Sequence, residues 1–303
     1  MDRLERTKKF MSITKIEPGK KVKLRDCETG WAQNEEAIFL GKGELKERAH
    51  KLLDENRAEL EKAQELLYAN HTYAILIILQ GRDAAGKDGT IKHVMSGVNP
   101  QGCRVTSFKQ PSATELDHDF MWRHNMALPE KGMIGIFNRS YYEEVLVVKV
   151  HENLLEKQNL PPQKHSDDLW KERYQDISNY EHYLVNNGTL ILKFFLNISK
   201  DEQKKRFLER LNIPDKYWKF SEADLHERDY WDEYSKAYED MLNNTSTKLA
   251  PWFVIPADYK WFARSLIADI ITTSILSLNI KYPVINEQKS AAIEDAKRKL
   301  EAE

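Results

Sequence analysis

Apolar residues along this chain fall into two rhythms. Residues 73–80 form a near-continuous apolar run of strand length, the pattern of a strand buried on both faces. Residues 133–137 and 189–196 repeat that pattern, 252–255 is a shorter copy, and 104–108 is a weaker strand candidate. Between these runs the apolar residues recur at helical spacing. Leu45, Ala49, Leu52, Leu53, Leu60, Ala63, Leu66 and Leu67 predict a long helix over 43–70, lying against the core or a sister subunit. Further helices are expected after Lys87, over 113–126, from Ser140 to about 150, and over 168–185, 203–211, 222–242, 260–278 and 287–302. Ser112, Ser140 and Ser221 stand where N-caps belong, and Ser199-Lys200-Asp201-Glu202 reads as a capping box. Asn186-Asn187-Gly188 stops one helix and Asn212-Ile213-Pro214-Asp215 breaks another. Residues 1–40 read as a loosely structured arm and 151–166 as a polar loop.

Strands therefore alternate with helices five times. That order predicts an α/β chain with a five-stranded, mostly parallel sheet and helices on both faces, a three-layer α/β/α arrangement. The 303 residues permit one large domain or two small ones. The pattern is read as a single domain over 1–303, with an arm and helix at 1–70, a core at 71–285 and a C-terminal helix at 286–303. Ligands of such a sheet sit beyond the carboxyl ends of the strands.

Composition narrows the partners. Lysine plus arginine number 46 and aspartate plus glutamate 48, a formal net charge of −2. That balance argues against a general nucleic-acid coat, so any polyanion must be met by a local basic groove. Two cysteines, Cys27 and Cys103, suit a reducing cytosol. The start carries no signal-peptide pattern and no apolar run approaches membrane-spanning length, so a cytoplasmic protein without a membrane partner is expected.

The candidate chemistry lies at the ends of the predicted strands. After the first comes Gly81-Arg82-Asp83-Ala84-Ala85-Gly86-Lys87-Asp88-Gly89, a G-x-x-x-x-G-K phosphate-cradling loop without the usual Ser or Thr after its lysine. Its glycines let backbone approach phosphate oxygens, the following helix N-terminus faces them, and Lys87 supplies a point charge. Asp88 stands where a magnesium-binding hydroxyl usually sits, so Asp83 is the expected ligand for a hard cation, Mg2+ (or Mn2+). Asn138-Arg139 ends the third strand, where many phosphate-loop enzymes place a metal-binding aspartate. Asparagine coordinates more weakly, which leaves the metal to Asp83 and lets Arg139 face phosphate. Asn138 and Glu143 are candidates for the nucleotide site. Lys109 and Arg123 lie past another strand end as phosphate contacts. Lys204, Lys205, Arg206 and Arg210 form a basic helix between a core strand and a Pro-broken loop, as in a mobile lid; the alternative is a solvated charged face.

Several of these segments resemble a known family. Gly81 to Ile91, Asn99-Pro100-Gln101-Gly102, Trp122-Arg123-His124, Gly135 to Glu143, Lys193-Phe194-Phe195-Leu196, Lys204 to Phe207, Trp218-Lys219-Phe220-Ser221 and Ala250-Pro251-Trp252 are similar, in order, to polyphosphate kinase family 2. Asn138 and Glu143 resemble its third class; the first class typically reads Phe-Asp-Arg-Ser-Trp-Tyr-Asn there. The resemblance covers roughly residues 40 to 280. It implies a phosphate-loop kinase core with a helical lid at about 200–230, often in homo-oligomers (dimer or tetramer). It implies phosphoryl transfer from inorganic polyphosphate to the adenine nucleotides AMP and ADP. Asp83, Lys87 and Arg139 match its catalytic positions, and Arg206 and Arg210 match the lid. The rival readings are an ATP-dependent kinase of a small metabolite and a non-catalytic nucleotide-binding protein.

Overall fold

The computed structural model describes residues 3–30, 35–161 and 168–303. Its centre is a sheet of five strands: β1 (Ala74–Gln80), β2 (Cys103–Ser107), β3 (Ile134–Asn138), β4 (Thr189–Asn197) and β5 (Trp252–Pro256). They lie in the order β2-β3-β1-β4-β5, and every pairing is parallel. The helices are α1 (Arg3–Thr14), α2 (Glu35–Asn70), α3 (Lys87–Val94), α4 (Ala113–Leu116), α5 (Trp122–Asn125), α6 (Val147–Val150), α7 (Leu169–Asn186), α8 (Lys200–Leu211), α9 (Glu222–Asp229), α10 (Trp231–Thr245), α11 (Lys260–Leu276) and α12 (Glu287–Glu301).

The apolar runs of β1 and β4 are explained by two separate cores. Ile75, Ile77 and Leu79 with Leu192, Phe194 and Leu196 face one layer, made chiefly of α2, α3 and α11. Leu76 and Ile78 with Ile191 and Phe195 face the other, where Tyr141, Tyr142, Ile177, Tyr238 and Met241 pack. A strand wedged between two apolar layers has no polar face, so its sequence does not alternate. The long helix lies on α11, burying Leu53, Leu60, Ala63 and Leu67.

Several expectations need correction. Part of the N-terminal arm is ordered: α1 is helical, and Ile16 N–H donates to the Trp252 carbonyl at 2.8 Å, so the chain covers the open edge of β5. The helix expected over 113–126 is two single turns, α4 and α5, although Ser112 does form a full capping box with Glu115. After Ser140 the chain makes a 3-10 turn, Tyr141–Val145, before α6. The helix expected over 222–242 breaks at Tyr230, and Ser221 makes no side-chain cap. Ser199 caps α8 through Glu202 N–H, but its own N–H goes to Asp258, so the box is half formed. The polar loop at 151–166 carries a 3-10 stretch, Glu152–Gln158; its part from 162 onward lies outside the described residues. Among the described residues no helix is long and apolar enough to cross a membrane.

Candidate active site

Parallel register brings the carboxyl ends of the strands together. Leu79 pairs with Asn138 and Gln80 with Phe195, so the loops after β1, β3 and β4 leave the sheet side by side. They open on a cavity of about 1100 Å³. Its wall includes Asp83 to Gly89, Lys109, Arg123, Asn138, Arg139, Glu143, Arg206 and Arg210. Of the residues singled out from sequence as candidate contacts, Gly81, Arg82, Lys204 and Lys205 do not line it.

The loop itself is tightly built. Gly86 caps α3 in the left-handed region at φ +107°, which a residue with a Cβ rarely adopts. At Gly81 a Cβ would come within 3.0 Å of the Leu196 carbonyl oxygen, so the loop can hug β4 only with glycine there. Lys87 opens α3 and is buried; its ammonium donates to the Gly81 carbonyl at 2.6 Å and to that of Arg82 at 3.4 Å. Burial, and then the nearby Arg139, push its pKa down to about 8.

A charged chain crosses the mouth of the loop. Arg139 donates through Nη2 to Asp83 Oδ1 at 2.7 Å and through Nη1 to Glu143 Oε2 at 3.2 Å. Arg139 has φ +65°, a left-handed backbone held by its surroundings. Glu143 and Asp83 raise the Arg139 pKa further above its ordinary value, against the cost of burial. Asp88 faces Asn138 instead: Asn138 Nδ2 donates to Asp88 Oδ1 at 2.6 Å and to Ser107 Oγ at 3.4 Å. On the β2 side, Arg123 donates to the Lys109 carbonyl at 2.8 Å and lies 3.9 Å from Glu115, while the Lys109 side chain is exposed. Beside them His124 is buried and neutral, its pKa pushed down to about 3 by burial and by Arg123.

Two sequence expectations are overturned. Arg82 is absent from the cavity lining: its guanidinium stacks 4.0 Å over Trp231 and donates to the Trp231 carbonyl and the Ser235 hydroxyl, so it ties the loop to α10. Arg206 is no exposed lid cation either. It is buried and bonded to backbone carbonyls under the loop, whereas Lys204 and Lys205 of the same helix are exposed. Arg210 reaches across to Asp224 of α9 at 3.3 Å, on the cavity wall.

The cavity also holds residues that sequence reading passed over. Lys260 and Arg264 open α11 one turn apart, and Gly89 is the residue that leaves room for Arg264 Nη2, 3.0 Å from where a Cβ would stand. Two basic residues four apart just after a strand end were the available signal. His151 meets Glu227 of α9 at 3.0 Å, and Tyr234 donates to the same carboxylate at 2.6 Å. Among the described residues no group of three or more His, Cys, Asp or Glu is placed to hold a metal ion.

Comparison with known proteins agrees with this geometry. An ADP-polyphosphate phosphotransferase of Rhodopseudomonas palustris is 53% identical over 241 residues, covering 79% of this chain and 83% of that protein. An AMP/ADP-polyphosphate phosphotransferase of Meiothermus ruber is 49% identical over 224 residues, covering 74% and 80%. The crystal structure of polyphosphate kinase 2 from Arthrobacter aurescens superposes with a TM-score of 0.76 at 35% identity, covering 93% of this chain and 99% of that one. The model of the polyphosphate kinase 2 family matches residues 44–283, and the chain belongs to that family.

Proposed function

We propose that this protein transfers the terminal phosphoryl group of inorganic polyphosphate to AMP and to ADP, giving ADP and ATP. The observation that carries the reading is Lys87: a buried ammonium at a phosphate-cradling loop, opening on a cavity flanked by Arg139 and Arg123. Such a group is held ready for an anion.

The donor end lies along the loop with its terminal phosphorus near Lys87. A phosphate oxygen of the acceptor attacks that phosphorus in line, and the bridging P–O bond breaks. The shortened polyphosphate leaves as an oxyanion. The attacking oxygen is already ionised at neutral pH, so no general base is required. Lys87, Arg139 and Arg123 position the phosphates and neutralise their charge, which is most of what phosphoryl transfer asks of a protein. Lys109 and Arg210 extend the basic wall for the polymer.

A divalent cation fits the donor set. Arg139 engages one oxygen of Asp83 and leaves the other available, and Mg2+ is commonly held by one or two carboxylates together with substrate phosphates. Asp83 would hold Mg2+ (or Mn2+), with Glu143 close by, and the ion would supply charge neutralisation at the transferring group. Asn138, committed to Asp88 and Ser107, adds no negative charge of its own at the end of β3. That setting, with Glu143 one turn on, favours a site that takes acceptors differing by one phosphate, as in the family's third class. Residues 1–303 act as one kinase domain in a cytoplasmic homo-oligomer, dimer or tetramer, with a lid at about 200–230 and no nucleic-acid partner.

Donor exchange tests the reading. Purified protein with Mg2+ and AMP should form ADP and ATP when polyphosphate is the sole donor. Phosphorylation of small metabolites with ATP as donor, and none with polyphosphate, would replace this reading with the small-metabolite kinase.

A further inference from the structure

Arg206 has five N–H donors, and all five are used. Nε donates to Glu202 Oε1 at 2.9 Å. Nη1 donates to the Ala84 and Ala85 carbonyls, each at 2.9 Å. Nη2 donates to the carbonyls of Ala257 at 2.6 Å and Asp258 at 3.0 Å. The side chain is 4% exposed. One turn earlier on α8, Gln203 Nε2 donates to the Asp83 carbonyl at 2.9 Å. Helix α8 thus grips three consecutive carbonyls of the phosphate loop and fastens them to the loop after β5.

The grip falls where the loop is under strain. Ala84 sits at φ +60°, in the left-handed region, although it carries a Cβ. Such a residue persists only when its surroundings over-determine it. In a trans peptide the carbonyl and the following N–H point in opposite directions. Holding the Ala85 carbonyl therefore turns the Gly86 N–H away from Arg206, and Gly86 lines the cavity.

We infer that Arg206 is a positioning residue for phosphoryl transfer: it acts through the phosphate loop, by fixing the loop's carbonyl side, and roots the base of the lid helix on it, without itself gripping phosphate. The inference rests on the polyphosphate reading for its kinetic arm only. A phosphate contact could be served by any cation of similar reach, whereas this clamp needs the five-donor planar fork, which lysine cannot reproduce.

The experiment uses the full chain with Arg206→Ala, Arg206→Lys and, as control, Lys299→Ala, whose side chain is 76% exposed on α12. For each, kcat and KM for polyphosphate with AMP are measured at two salt concentrations, together with Tm and hydrogen exchange of the peptide spanning 81–90. Both Arg206 variants should lose kcat by roughly tenfold to a hundredfold, as for other misplaced reactive groups. Their KM for polyphosphate should stay within about twofold and keep its salt dependence, because no phosphate contact is removed. Loop exchange should quicken by about tenfold or more. Millimolar guanidinium should restore part of the kcat of Arg206→Ala. Lys299→Ala should match wild type throughout.

Wild-type kcat in Arg206→Lys with a raised, salt-sensitive KM in Arg206→Ala would overturn the inference in favour of a direct phosphate contact. Normal kcat per folded molecule in both variants would reduce Arg206 to a fold-stabilising tie. A wild-type protein without turnover on polyphosphate would strike the functional reading alone; unchanged loop exchange in Arg206→Lys would then still sink the clamp.

Discussion

Two lysines lie buried, one in the middle of β4 and one just past the loop after β1, and they are buried for opposite reasons. Lys193, in β4, is fully enclosed and saturated: its ammonium donates to Glu181 Oε2 at 2.6 Å, to the Thr245 carbonyl at 2.8 Å and to the Tyr142 hydroxyl at 2.9 Å. Tyr141 and Tyr142 donate in turn to Glu181 Oε1. Lys87 has only two carbonyls, and among the described residues no carboxylate stands within 4.0 Å of its ammonium. Burial holds both below the ordinary lysine range. The difference lies in what answers the charge. At Lys193 the fold supplies the counter-ion, and the pair belongs to the core. At Lys87 the fold supplies neutral acceptors at hydrogen-bond distance, with the charges of Asp83, Glu143 and Asp88 acting from farther off, and a cavity with room for an anion.

The largest effect expected from this contrast is on folding. Lys193→Met strands Glu181 as a buried carboxylate and should cost about 3–5 kcal/mol. The unfolding midpoint should fall by roughly 10 °C, with kcat per folded molecule near wild type. A midpoint within 2 °C of wild type, or a loss of kcat without a loss of stability, would break the contrast.

Lys87→Ala should do the reverse. Turnover should drop roughly a hundredfold or more, the scale of a single preorganised donor to a charged transition state, while Tm stays at or above wild type. Beside it, Asp83→Asn removes the charge offered to the metal, and half-maximal activity should need about tenfold more Mg2+. An unchanged magnesium titration would move that role to another group.

The pH dependence follows from Lys87. Its folded pKa lies below its ordinary value, so the folded state binds this proton less tightly than the unfolded chain. The stability cost is therefore full below about pH 8 and fades as pH rises toward 10.5. Activity runs the other way. The charge that holds phosphate disappears, so kcat/KM for polyphosphate should fall above pH about 8, approaching tenfold per unit. A flat profile to pH 10 would place the essential cation elsewhere. The smallest effect is expected at Arg210: Arg210→Ala should raise KM for polyphosphate about fivefold and weaken its salt dependence, read from initial rates at two ionic strengths.

The sheet was legible because burial on both faces is written into consecutive residues. Runs such as 73–80 need no partner to be recognised. That Asp83, Lys87 and Arg139 line the cavity is legible for a related reason: a loop motif and a strand end are local. The burial of Arg82 and Arg206 is not legible in the sequence because their surroundings lie far along the chain. Arg82 meets Trp231 and Ser235, and Arg206 meets Ala84, Ala85 and Ala257. No window around either residue separates a buried fork from a solvated cation. The break at Tyr230 was hidden similarly, since Glu222–Asp229 and Trp231–Thr245 both carry helical spacing and the bend between them is set by packing.

Under the proposed function, polyphosphate feeds AMP and then ADP at this site. A time course from AMP with Mg2+ and excess polyphosphate, with nucleotides separated by chromatography, tests it most directly. ADP should rise and then fall as ATP appears, in wild type but not in folded Lys87→Ala. ADP that accumulates while ATP never forms, or full turnover in Lys87→Ala, would contradict it.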